Sequence, residues 1–277
     1  MKILLIGANG QLGFDVSKML SQKHEVIKRD KRDLDITNLT DVLEQVKQIK
    51  PDMIINSAAY TDVDSCENNV DLAYKVNALG VRNLAVAAYE NRSRILHIST
   101  DFVFDGEKKE PYIEFDRPNP LSIYGKSKWA GEVMLKEICQ RYYILRTAWL
   151  YGENGRNFVK TMLRLAEEKD AVKVVDDQIG SPTYTKDLVQ VIEMIIETEA
   201  YGTYHVSNDG QCSWYEFAKK IFELAGKDVQ VLPITTEELA RPAKRPKYSV
   251  LKNFMLELQF DYYIRHWEEA LKEYFRK

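Results

Sequence analysis

The opening residues, MKILLIGANGQLG, constrain this chain more than any other stretch. Residues 3–6 are a continuous apolar run, the pattern of a parallel strand buried on both faces. Gly7, Gly10 and Gly13 follow, and Leu12, Val16, Met19 and Leu20 then recur at helical spacing. Glycines in such a turn let the backbone come close to a pyrophosphate, and the first N–H groups of the helix face the anion. The spacing is Gly-x-x-Gly-x-x-Gly rather than Gly-x-Gly-x-x-Gly. Its position between a strand and a helix nevertheless points to dinucleotide binding. Gly7, Asn9, Gly10, Gln11, Leu12 and Gly13 are therefore the first cofactor candidates.

A second strand, residues 24–28, runs into Arg29, Asp30, Lys31 and Arg32. A carboxylate about 20 residues past the glycines bonds the adenosine ribose 2′-hydroxyl, whereas a nearby arginine accommodates a 2′-phosphate. Arg29 and Asp30 pull in opposite directions, so the choice between NADH and NADPH stays open. Residues 53–60, MIINSAAY, form another buried strand, and Ala58 and Ala59 leave room for a flat cofactor at its carboxyl end. Residues 94–98 make a further strand that ends in Ser99, Thr100 and Asp101, where a hydroxyl can hydrogen-bond a substrate carbonyl.

Downstream, IYGKSKWAGE places Tyr124 and Lys128 four residues apart, on one helix face. An ammonium beside a phenol favours the phenolate, so the tyrosine is expected to become more acidic than its reference of about 10. That is the profile of an acid–base catalyst.

The order of glycine turn, Asn-Ser-Ala-Ala strand end, Ser-Thr strand end and Tyr-x-x-x-Lys helix resembles the extended short-chain dehydrogenase/reductase superfamily. Further strings narrow the likeness: LDIT, STDFVFDG, LRTAWLYG, DDQIGSPTY and RPAKRP. Together they resemble the dTDP-4-dehydrorhamnose reductases nearly end to end. The resemblance implies hydride transfer from NADPH or NADH to the C4 ketone of dTDP-6-deoxy-L-lyxo-4-hexulose, with Tyr124 as proton donor. It implies a catalytic set of Thr100, Tyr124 and Lys128, and cofactor contacts from Asp35 and Ile36 and from Ala58, Ala59 and Tyr60. Asp101, Phe102 and Trp149 match sugar-contacting positions, although many members carry tyrosine where this chain has Phe102. Arg241, Lys244 and Arg245 form a basic cluster stiffened by Pro242 and Pro246, and paired guanidiniums suit a diphosphate. Arg241 and Arg245 are accordingly substrate-binding candidates.

Two other readings remain at this stage. An epimerase or dehydratase of the superfamily is disfavoured because Phe102, not a second carboxylate, follows Asp101. A non-catalytic subunit resembling the β subunit of methionine adenosyltransferase shares the general pattern.

Strands and helices alternate to about Tyr151, which predicts a Rossmann-type doubly wound parallel sheet over residues 1–151. Residues 152–277 are expected to form a smaller sugar-nucleotide lobe, interleaved with the first domain. Helices are predicted over residues 158–168, 185–199 and 213–225. A formal charge of −3 argues against a nucleic-acid partner. No apolar run approaches the roughly 20 residues of a membrane span, and the short first strand is unlike a signal peptide. Three scattered cysteines, Cys66, Cys139 and Cys212, suit a reducing cytoplasm. His24, His97, His205 and His266 lack metal-ligand spacing and are read as packing or surface residues, so no metal is expected. The expected partner is a dTDP-sugar, with the chain a monomer or homodimer.

Overall fold

In the computed structural model, which describes residues 1–276, six parallel strands form the central sheet. In chain order they are β1 (Lys2–Ile6), β2 (Glu25–Arg29), β3 (Met53–Asn56), β4 (Arg94–Thr100), β5 (Tyr142–Thr147) and, much later, Gly202–His205. Their spatial order places β1 between β2 and β3. The winding direction therefore reverses there, and ligands of open α/β sheets bind at such a switch point, beyond the carboxyl ends of the strands. The apolar runs of β1 and β3 are buried because helices cover both faces of the sheet.

On one face lies α1 (Gln11–Leu20); on the other lie α2 (Leu39–Ile49) and two short helices, α3 (Val63–Asn68) and α4 (Val70–Tyr74). α4 continues through a π-helical turn, Lys75–Leu79, into α5 (Gly80–Asn91). α6 (Ile123–Ile138) follows β4 and packs beside α5. Val42, Val46, Val81, Leu84 and Leu135 close the core on that side.

Beyond β5 come β6 (Leu150–Tyr151), α7 (Phe158–Glu168), β7 (Ala171–Val175), β8 (Ile179–Gly180), β9 (Thr183–Tyr184) and α8 (Thr185–Ile195). β10 is the sheet strand Gly202–His205 named above. The chain ends with β11 (Cys212–Ser213), α9 (Trp214–Ala225), β12 (Gln230–Ile234), α10 (Thr236–Leu239), α11 (Phe254–Phe260) and α12 (Trp267–Phe275). α8 returns to the first face and shares a core with α1 through Leu188, Val189 and Ile192. A second core gathers Tyr151, Val159, Val172, Phe217, Ile221, Trp267 and Leu271 from α7, β7, α9, α12 and their neighbours.

The helix expected over residues 185–199 stops at Ile195, because the Thr198 hydroxyl donates to the Ile195 carbonyl at 2.8 Å and replaces the next turn. Cys66, Cys139 and Cys212 are buried free thiols. Among the described residues no helix is long and apolar enough to cross a membrane.

Candidate active site

A cleft of about 1020 Å³ opens at the switch point and extends from the glycine turn to the second core. Its floor is the β1–α1 turn. Gly7 has φ +77°, and a side chain there would lie 2.8 Å from the Ala58 nitrogen, so glycine alone brings the two strand ends this close. Gly13 is a packing residue: an added Cβ would sit 2.1 Å from the Gly7 carbonyl oxygen. The N-cap of α1 is Gly10, with no side chain to take up the first N–H groups, and the first turn holds no acid. These features fit an anion at the helix N-terminus. Asn9, Gln11 and Leu12 line the same wall.

At the end of β2 the two cofactor candidates part. Asp30 faces the cleft and accepts hydrogen bonds from the Asn9 side chain and the Arg32 backbone, each at 2.7 Å. The Arg32 N–H, first among these contacts, holds its carboxyl below the usual range. Arg29 is not in the cleft. Its guanidinium turns to α2 and donates to Gln45 Oε1 and to the Lys28 carbonyl, each at 2.9 Å. Lys31 is the cation that lines the cleft here. Asp35 is fixed by the backbone and hydroxyl of Thr37, Ile36 packs on Gly80, and Ala58, Ala59 and Tyr60 form the opposite wall.

The structure brings Thr100, Tyr124 and Lys128 together. Ser122 and Glu67 cap the start of α6 by accepting from Gly125 N and Ile123 N, which fixes where Tyr124 emerges. It lines the cleft beside Thr100, and its ring meets Phe102 edge-on at 5.5 Å. Thr100 Oγ1 donates to Asp101 Oδ1 at 3.0 Å.

The expected acidification of Tyr124 is reversed. Burial pushes the phenol above its ordinary value, the neighbouring Thr100 hydroxyl opposes this, and the Asp101 charge adds to it. The reason is that the Lys128 ammonium is not aimed at the phenol. Lys128 Nζ donates to the Ile98 carbonyl at 2.6 Å and lies 3.3 Å from His97 Nε2. Burial lowers the lysine to about 8, against the pull of Glu132. Asp101 is likewise pushed up by burial, to about 6, although the Ser249 and Thr100 side chains pull the other way; its Oδ2 is buried without a hydrogen-bond partner.

Several contributors escaped sequence reading. Glu132, one turn beyond Lys128, is fully buried; it accepts from Ser99 at 2.5 Å and pairs with Arg146 at 2.7 Å. It thereby ties α6 to the ends of β4 and β5. Asn77, in the π turn, accepts from Tyr60 N at 2.8 Å and donates to Tyr60 O and Ser127. π turns recur at functional sites, but no residue type announces them. Trp149, held at φ +44°, stacks on Trp214 with ring centroids 3.5 Å apart. Trp214 and Arg156 also line the cleft.

Of the basic loop, only Arg245 reaches the cleft wall. Its guanidinium grips Asp64 of α3 with two 3.0 Å hydrogen bonds. Arg241 lies farther off, 3.6 Å from the same carboxylate and more than half exposed. Lys244 is exposed. Burial alone would raise Asp64, but Arg245, the Ala243 N–H and Arg241 outweigh it and hold the carboxyl low.

The sequence signature of the RmlD substrate binding domain matches residues 1–277. The chain is 46% identical over 285 residues to dTDP-4-dehydrorhamnose reductase of Aggregatibacter actinomycetemcomitans, covering 98% of this chain and 97% of the relative. It is 44% identical over 277 residues to the spore coat polysaccharide biosynthesis protein SpsK of Bacillus subtilis, covering 100% and 97%. Among solved structures, the dTDP-4-dehydrorhamnose reductase of Bacillus anthracis in complex with NADP has a TM-score of 0.98 at 50% identity, covering 99% of each chain. The Clostridium acetobutylicum reductase has a TM-score of 0.97 at 56% identity, covering 99% and 98%. A signature that matches the whole chain, relatives covered over nearly their whole length and a shared fold leave one assignment: the chain belongs to the dTDP-4-dehydrorhamnose reductase family.

Proposed function

We propose that this chain uses NADPH or NADH to reduce the C4 ketone of dTDP-6-deoxy-L-lyxo-4-hexulose, yielding dTDP-L-rhamnose. One observation carries the reading: Thr100, Tyr124 and Lys128 line one cleft together, between the glycine turn and Trp149. When bound, the nicotinamide supplies the hydride. Tyr124, kept protonated by burial, donates its proton to the C4 oxygen. Thr100 turns its one hydroxyl hydrogen from Asp101 Oδ1 to the same oxygen as charge develops. Lys128 holds the nicotinamide ribose. The N-terminus of α1 receives the pyrophosphate, and the Trp149 wall receives the sugar.

The deciding assay follows NAD(P)H oxidation with the dTDP-4-keto sugar and assigns the product configuration at C4 by NMR. A Streptomyces niveus relative, 38% identical over 275 residues, is named dTDP-4-keto-6-deoxy-D-glucose reductase, so that sugar belongs in the assay as well. Turnover of it alone would overturn the proposed substrate.

Lys128→Met is expected to raise the cofactor KM and abolish its pH dependence. In the wild type the ammonium is lost as pH rises through about 8, so cofactor affinity should fall across that window. Unchanged affinity and an unchanged alkaline limb in the variant would place Lys128 outside the site.

Both cofactors are expected to work, with kcat/KM differing by less than about tenfold, or about 1.4 kcal/mol. Asp30 suits a ribose hydroxyl, Lys31 suits a phosphate, and Arg29 is engaged elsewhere. A preference of several orders of magnitude would contradict this balance.

Arg245→Ala should raise the KM for the sugar nucleotide roughly 10-fold or more, the effect of losing about 1.5–3 kcal/mol of charge-assisted hydrogen bonding, and spare cofactor affinity. The more exposed Arg241→Ala should do less. Equal losses with a sugar lacking the diphosphate would assign Arg245 to the Asp64 contact alone.

A further inference from the structure

Behind the cleft, Lys128 is the last member of a buried polar chain. Asn56 and His97 are register partners on the neighbouring strands β3 and β4, and both are fully buried. Asn56 Oδ1 accepts from the Ala58 N–H at 3.1 Å. That contact dictates how the amide is turned, because the reverse orientation would set an NH₂ against a backbone N–H. Asn56 Nδ2 must then be the atom 3.1 Å from His97 Nδ1, and as a donor it requires a lone pair there. A neutral imidazole that accepts at Nδ1 carries its hydrogen on Nε2. His97 Nε2 faces Lys128 Nζ at 3.3 Å. An ammonium would meet this N–H donor to donor. A neutral amine satisfies every contact, accepting from His97 and donating to the Ile98 carbonyl.

We propose that Asn56 and His97 are positioning residues for Lys128: Asn56 locks His97 as the Nε2–H tautomer, and that N–H opposes protonation of Lys128, so that the free enzyme gives up the ammonium more readily as pH rises.

The remaining groups around Lys128 do not reverse this polarity. From its own helix, Glu132 favours the ammonium, yet its oxygens are taken by Ser99 and Arg146, with Lys136 3.7 Å away. Tyr124 is held protonated, and its neighbours Cys66, from α3, and Asp101, beyond Thr100, bear on the phenol. Burial and the lysine's own charge keep His97 well below its ordinary value, so an imidazolium, which would also clash with Asn56, is disfavoured. Burial lowers Lys128 in the same direction as the hydrogen-bond chain.

The test begins with the free full-length protein labelled with ¹⁵N-histidine. The His97 signals are assigned among the four histidines by their loss in His97→Gln. The expected spectrum shows Nε2 protonated and Nδ1 bare throughout neutral pH. An Nδ1–H tautomer or an imidazolium would overturn the proposal.

Asn56→Asp replaces a donor by an acceptor, so the tautomer should invert and Nε2 should offer Lys128 a lone pair. The alkaline limb of NADPH affinity is then expected to move up by about one unit, a tenfold change in proton affinity. An inverted tautomer with an unmoved limb would show that His97 does not act on Lys128. Should Asn56→Asp not fold, His97→Phe removes the facing N–H and should move the limb the same way; a downward shift overturns the proposal. The kinetic arm rests on Lys128 as a cofactor-binding residue, whereas the spectrum does not, so failure of either reading is recognisable.

Discussion

Tyr124→Phe is expected to lower kcat by about 10²-fold or more while leaving the cofactor Kd nearly unchanged, the range for removal of a general acid. The substitution deletes only the hydroxyl beside Thr100. The ring can keep its edge contact with Phe102, so packing is preserved. Burial raises the phenol above its ordinary value and makes it a poor base at neutral pH, but a dependable holder of the proton that the C4 oxygen needs. Measuring kcat and the NADPH Kd on the same preparation decides the matter. Turnover at the wild-type rate would remove Tyr124 from the mechanism.

The largest stability effect is expected from Glu132→Ala. This substitution leaves Arg146, itself buried, without its carboxylate, and breaking one half of a buried pair costs about 3–5 kcal/mol. For a chain of this size such a loss corresponds to a fall in Tm on the order of 10 °C. Burial works against the Glu132 charge, yet Arg146, Lys136 and Ser99 hold its carboxyl below the usual range. The stabilisation is therefore present at neutral pH and is lost as pH falls through that lowered value. Replacing Glu132 and Arg146 together by apolar residues should recover much of the loss. If Glu132→Ala melted with the wild type, the pair would not be what anchors α6.

The strands and the glycine turn were legible because their signals are local. An apolar run, three glycines and a helical repeat lie within twenty residues of one another. The spacing of Tyr124 and Lys128 correctly places both on α6, but the direction of the Lys128 amine does not follow from spacing. It depends on the Ile98 carbonyl and His97, which the sheet brings up from some thirty residues upstream. His97 reads as a packing residue until its register with Asn56 is known. Arg29 illustrates the same limit: its charge suggests a phosphate ligand, while Gln45, one helix away, is what it binds. The aromatic partner of Trp149 lies on α9, 65 positions downstream, and no local pattern joins them. By contrast α12 carries a readable local signal in Trp267, Ala270 and Leu271, which fall at helical spacing and are buried.

The stacked indoles of Trp149 and Trp214 also have an optical consequence. Two indole planes stacked 3.5 Å apart bring their transition dipoles close enough to couple strongly, and the coupled pair stands in the wall where the sugar is proposed to bind. Any ligand that slides or parts the rings will change the circular dichroism of that pair and its quenching. The protein thus carries an intrinsic reporter of sugar-nucleotide occupancy, separate from the absorbance of reduced cofactor. Titrating nucleotide sugars against this signal would rank them without turnover.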